Sequence, residues 1–169
     1  MGGAKHGPNR FDRYLAIHDT IMAKFASDGF VEDDGVVFSD LGAGEILVEG
    51  KIQCVGGICI RVIKTLAVVS GVRAEALVRT TSYSYNVFAD GIGNVFRYCS
   101  PHDTEEQPDH KPFHHKHVYD LLAGDVTGRV EEVGDDAWPT LGEVIEQARD
   151  WYHHNVTELD LLRARYGQK

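Results

Sequence analysis

Cysteine is scarce in this chain and poorly spaced for a structural task. The three thiols, Cys54, Cys59 and Cys99, form no zinc-knuckle pattern and cannot all pair with one another. Buried, reduced thiols of a cytoplasmic protein are the expectation. Long apolar runs are missing too. None reaches the roughly 20 residues that cross a bilayer, and the opening Met1-Gly-Gly-Ala-Lys-His6 lacks a signal-peptide core. Positive charge is in deficit: 17 Lys and Arg stand against 26 Asp and Glu, a formal charge of -9. That balance excludes a protein that binds nucleic acid over its whole surface, because phosphate binding needs concentrated Lys and Arg. A local basic patch stays open. No glycine pair leads into Gly-Lys-Ser/Thr, and nothing resembles a Ser-His-Asp or kinase signature.

What is present suits one compact domain, large enough at 169 residues to bury a core without metal or disulfide staples. Residues 1–9 read as a flexible tail and 10–169 as the domain. Phe11, Tyr14, Leu15, His18, Ile21, Met22 and Phe25 recur at helical spacing and predict a helix ending near Asp28-Gly29. Val, Ile and Leu then become dense, and strands are expected at about 36–39, 45–54, 58–69, 75–88 and 93–99. Gly56-Gly57 and Asp90-Gly91 are the turn signals between them, which implies a meandering antiparallel sheet. A long segment rich in Pro, His and Asp follows from Ser100 to Pro139, with one weak strand candidate near Arg129 to Val133. Thr140 and Glu143 have capping-box spacing, and Leu141, Val144, Ile145, Ala148, Trp151 and Tyr152 form the stripe of a second helix. The helix either continues past His153-His154-Asn155 or restarts there. The fold class expected is α+β: five or six antiparallel strands, with an N-terminal and a C-terminal helix packed on one face.

Five of the nine histidines fall in the 16 positions from His102 to His117, where an even spread would place roughly one. Arg97, Lys111 and Lys116 lie beside them. Imidazoles next to fixed cations suit proton transfer on an anionic substrate, or a metal site. With a two-residue turn at Asp90-Gly91, Tyr85 faces Phe96 and Tyr83 faces Tyr98, which gathers four aromatic rings on one sheet face. Ser82, Ser84, Asn86 and Arg97 occupy the other face, the candidate floor of a site. A one-residue slip, as from a three-residue turn, would put Arg97 among the tyrosines.

Tyr83-Ser84-Tyr85, Asp90-Gly91, Phe96-Arg97-Tyr98, Pro101-His102 and His114-His115-Lys116-His117, in that order, resemble the TumE-type family of prokaryotic toxin–antitoxin systems. The similarity covers about 45–150 and includes the capped helix at Thr140-Leu141-Gly142-Glu143. Cys99 stands where the family pattern has an acidic residue, and Asp103 where it has a second histidine. Phe113 follows Pro112, where the pattern has the reverse order, and the intervening loop is longer. The resemblance implies a toxin held in check by an antitoxin protein.

From the residues themselves, the chemistry expected is metal-independent RNA cleavage, with Arg97, Tyr98, His102, His115, Lys116 and His117 as the working group. One imidazole takes the 2′-OH proton and a second protonates the leaving oxygen, while Arg97 or Lys116 stabilises the phosphorane. His102 and His117 are the first choice of pair, with His115 as substitute. Tyr98 enters through its place in the motif, since the preferred register turns it toward the core. No cofactor is expected. RNA and an antitoxin are the expected partners, with homodimerisation open and no membrane association. Two other readings stand beside this one: a metal site on His102, His115 and His117, and a non-catalytic loop that docks a partner or RNA.

Overall fold

The computed structural model describes residues 5–101 and 112–166. Among them lie nine strands and two α-helices: β1 (Asn9–Arg10), α1 (Phe11–Ser27), β2 (Val31–Asp34), β3 (Val37–Gly42), β4 (Glu45–Cys54), β5 (Ile58–Ser70), β6 (Leu77–Ala89), β7 (Gly93–Cys99), β8 (His115–Val118), β9 (Arg129–Glu132) and α2 (Leu141–Tyr166). The strands form one antiparallel sheet in the order β2-β4-β5-β6-β7-β8-β9, with β3 also on β4 and β1 on β6. Among the described residues, no helix is long and apolar enough to cross a membrane.

The sheet exceeds the five or six strands expected. The additional ones are short and polar: β1 has two residues, β2 reads Val-Glu-Asp-Asp and β8 reads His-Lys-His-Val. Such segments carry too few apolar residues for alternation to register, and pairing to a neighbour's backbone creates them. The long strands β4 to β7 match the sequence expectation closely, because dense β-branched residues between glycine turns leave few alternatives. Gly56 supplies one such turn with φ 67°, and a Cβ there would lie 2.2 Å from the Tyr152 ring of α2. Only glycine admits both that backbone and that close approach.

One sheet face is the core. Ile58, Ile60 and Val62 of β5, Tyr83, Tyr85 and Val87 of β6, and Phe96 and Tyr98 of β7 join Met22 and Phe25 of α1 in one buried cluster. Val144, Ile145, Ala148 and Leu159 of α2 complete it. Both helices therefore cover the same face. Burying each large side chain there stabilises the fold by roughly 1.5–3 kcal/mol. The α1 helix ends as its sequence directs: Gly29 adopts φ 74°, and the Phe30 N–H donates to the Phe25 carbonyl at 3.0 Å. The α2 cap is reciprocal: the Thr140 N–H donates to Glu143 Oε2 at 2.7 Å, and the Glu143 N–H donates to Thr140 Oγ1 at 3.3 Å. The helix then runs unbroken through His153-His154-Asn155 to Tyr166.

Residues 5–9, read above as a tail, make defined contacts. Lys5 pairs with Glu143 at 2.8 Å, His6 Nε2 lies 2.7 Å from the Trp138 carbonyl, and Asn9 pairs with Val78.

Candidate functional site

The β6–β7 hairpin decides which side chains share a surface. Its register differs from the expected one, since Tyr85 faces Tyr98, Val87 faces Phe96 and Asn86 faces Arg97. The loop between Ala89 and Gly93 holds three residues, Asp90-Gly91-Ile92, which alone would turn Arg97 into the core. A bulge between the pairs Val87–Phe96 and Phe88–Asn94 leaves Val95 extra and restores the parity. The two one-residue slips add to a shift of two, which returns each side chain to its expected face. The four aromatics stay on the helix side, and Arg97 stays opposite with Ser84 and Asn86.

β8 then pairs with β7 so that Arg97 faces His117, Tyr98 faces Lys116 and Cys99 faces His115. Because side chains alternate along a strand, this register divides the candidate group between two surfaces. Arg97, His115 and His117 are brought together on the face away from the helices. Tyr98 and Lys116 lie on the helix side, where Gln147 Oε1 accepts from the Tyr98 hydroxyl at 3.0 Å and from Lys116 Nζ at 3.1 Å. Lys116 Nζ also sits 4.6 Å from the Phe96 ring centre and 4.9 Å from that of Tyr98. Its charge is committed to packing α2 against the sheet. His102 lies outside the described residues.

Arg97 Nη2 is 3.2 Å from His117 Nε2. A guanidinium can only donate, so this nitrogen carries the lone pair and His117 is neutral in the arrangement. His115 has the opposite disposition: Nδ1 lies 2.9 Å from the Phe113 carbonyl, which can only accept. Nδ1 therefore holds a proton. The two ring centres are 5.0 Å apart. His115 and His117 are buried, at 1% and 6% exposure, whereas Arg97, Ser84 and Asn86 are half-buried and form the accessible side of the group.

Two buried polar atoms here lack a hydrogen-bond partner among the described residues, the Arg97 Nε–H and Asn86 Oδ1. They stand on directly opposed residues. Leaving a donor of a charged group unpaired in a buried position costs on the order of 1–3 kcal/mol, and a bound anion or water offsets that cost.

Cys99 is the member that sequence reading left out of the working group. Cys99, His115 and His117 are all buried, and one potential ligand atom from each lies within 4.8 Å of the others. The strand pairing of Cys99 with His115 explains the proximity, and no spacing in the sequence signals it. The cysteine is a thiol rather than a thiolate, since burial raises its pKa despite the adjacent Arg97. His114 points elsewhere: its Nδ1 is 2.9 Å from the Tyr83 hydroxyl, its ring stacks on Trp138, and burial lowers its pKa.

Comparison of the chain with protein-family models, with curated proteins and with solved structures finds no match.

Proposed function

We propose that this chain cleaves RNA without a metal, as the toxin of a toxin–antitoxin pair, using Arg97, His117 and His115. The observation that carries the reading is the Arg97 guanidinium, held 3.2 Å from His117 while its buried Nε–H has no partner among the described residues. A phosphate oxygen satisfies that donor, and Arg presents a planar fork suited to phosphate. With Arg97 drawn onto the phosphate, His117 Nε2 takes the proton of the 2′-hydroxyl as that oxygen attacks phosphorus. The bond from phosphorus to the 5′-oxygen breaks, and protonated His115 returns a proton to the leaving oxygen through Nε2. The products are a 2′,3′-cyclic phosphate and a 5′-hydroxyl, and Arg97 stabilises the charge that builds between them. Tyr98 and Lys116, named with the group from sequence, act in this reading by holding β7 and β8 against α2. The toxin assignment and its antitoxin partner rest on the motif order from Tyr83 to His117.

A second reading has its own observation, the clustered ligand atoms of Cys99, His115 and His117. The His115 Nδ1–H bond to the Phe113 carbonyl is the kind of support that metal-bound histidines have. Against it stands the Arg97 cation, whose Nη2 is 3.2 Å from His117 Nε2, a repulsive neighbour for a divalent ion. Incubation of the purified protein with RNA in EDTA tests the two together. Cleavage that survives EDTA and disappears in Arg97→Met and His117→Asn supports the first reading. Cleavage abolished by EDTA and restored by zinc replaces it with the second, and intact RNA under every condition overturns both.

A further inference from the structure

On the helix side of the sheet, away from Arg97, a cavity of about 150 Å³ opens between the N-terminal segment, α1, β5, β6 and the residues before α2. Ile17, Ile21, Val78, Trp138 and Leu141 supply apolar walls, and no Asp or Glu lines it. Four basic side chains do: Lys5, His6, His18 and Lys64. Three are already engaged, Lys5 with Glu143, His6 with the Trp138 carbonyl and His18 with Asp34. Lys64 differs. It is 9% exposed and forms no ion pair among the described residues. Its ammonium donates to the Tyr14 hydroxyl and lies 4.9 Å from the Tyr14 ring centre and 6.0 Å from that of Tyr85.

A buried ammonium without an anion is costly, and burial alone lowers the Lys64 pKa to about 8. Tyr14 adds a second donor. Its oxygen accepts from Lys64, and among the described residues no hydrogen bond donated by the Tyr14 hydroxyl is found. An ammonium and a phenolic O–H are thus offered to one small cavity with greasy walls. Two donors and one charge match a carboxylate, and the walls of Ile17, Ile21, Val78, Trp138 and Leu141 favour one that carries an apolar tail over a bare inorganic anion. The volume is well below the roughly 300–1,000 Å³ of pockets that hold drug-sized ligands.

We infer that this cavity binds a small organic monocarboxylate, with Lys64 and Tyr14 holding the carboxylate and Trp138, Ile21 and Leu141 enclosing a short apolar tail. The site is separate from the Arg97 face and stands whether or not the chain cuts RNA. Lys5, His6, His18, Tyr14 and Tyr85 are the titratable groups that surround Lys64 from the neighbouring elements.

Calorimetric titration with butyrate, and with butyramide as its uncharged match, tests the inference. Saturable butyrate binding is expected, with no binding of butyramide and at least tenfold loss in Lys64→Met. Only the ammonium form of Lys64 is competent, so with a pKa of about 8 the affinity at pH 9 is about tenfold weaker than at pH 7. Absence of butyrate binding to the folded wild type overturns the site, as does equal binding of butyramide or undiminished binding by Lys64→Met. If that variant fails to fold, acetylation of the wild type by acetic anhydride, read by peptide mass spectrometry, gives the answer. Butyrate then protects Lys64 and leaves the exposed Lys24 unprotected, and unchanged Lys64 acetylation contradicts the inference.

Discussion

Replacing Lys116 with Met separates the two surfaces on which the sequence cluster is divided. In the native fold the ammonium donates to Gln147 Oε1 at 3.1 Å and lies over the rings of Phe96 and Tyr98 at 4.6 and 4.9 Å. A net hydrogen bond contributes about 1 kcal/mol, and a half-buried cation over an aromatic ring about the same. Methionine keeps part of the packing through its flexible thioether. The expected loss is therefore about 1–2 kcal/mol, a few degrees in melting temperature for a chain of this length. Urea unfolding reads it as a lower midpoint at unchanged slope. RNA cleavage, measured at a temperature where the variant is fully folded, stays within about twofold of wild type, because Lys116 does not reach the Arg97 face. A variant of native stability that has lost cleavage would refute this reasoning and return Lys116 to the chemistry.

Thr140→Ala removes the acceptor of the Glu143 N–H and costs about 1 kcal/mol in urea unfolding without changing cleavage. An unchanged midpoint would contradict the cap. His6 and His114 are held below the usual imidazole value chiefly by burial, so the unfolded chain takes up protons first as pH falls below about 6.5. Stability therefore declines between pH 7.5 and 5.5, and His114→Phe shows a smaller decline; an equal one would refute the role given to His114. Lys64 has a folded pKa of about 8 against an unfolded value of 10.5, so its contribution makes stability rise with pH across that interval. The pH dependence of the difference between wild type and Lys64→Met isolates this contribution from the titrating cysteines, and that difference should become constant below about pH 8. Equilibrium dialysis with zinc should find no stoichiometric site at Cys99, His115 and His117. One equivalent bound by wild type and lost in Cys99→Ser would favour the metal reading.

The parts of the fold that the sequence made legible are those governed by local rules. The stripe from Phe11 to Phe25, the β-branched runs of β4 to β7, and the Thr140–Glu143 cap each follow from residue type and spacing alone. What stayed hidden depends on pairing across distance. The strand character of His115–Val118 exists because β7 and β9 flank it, and a four-residue polar segment carries no pattern of its own. The hairpin shows the same limit more sharply. Its three-residue loop alone would bury Arg97, yet the bulge at Val95 adds a second one-residue shift that restores the facing, and nothing in the residues marks that bulge beforehand. For the site, Arg97, His115 and His117 were identifiable as types in a cluster. Their separation from Lys116 and Tyr98 required the register, as did the approach of Cys99. The tautomers of the two histidines follow only from the partners that the fold supplies, Arg97 and the Phe113 carbonyl.

The claim on which the functional account rests is that the Arg97 Nε–H faces the substrate phosphate, and its nitrogen–proton resonance reports this directly. Titration with a short 2′-O-methyl RNA, which cannot be cleaved, should move that resonance saturably downfield and should not move the Nε–H of the exposed Arg13 on α1. An Arg97 signal that stays in place while the RNA is demonstrably bound would contradict the account.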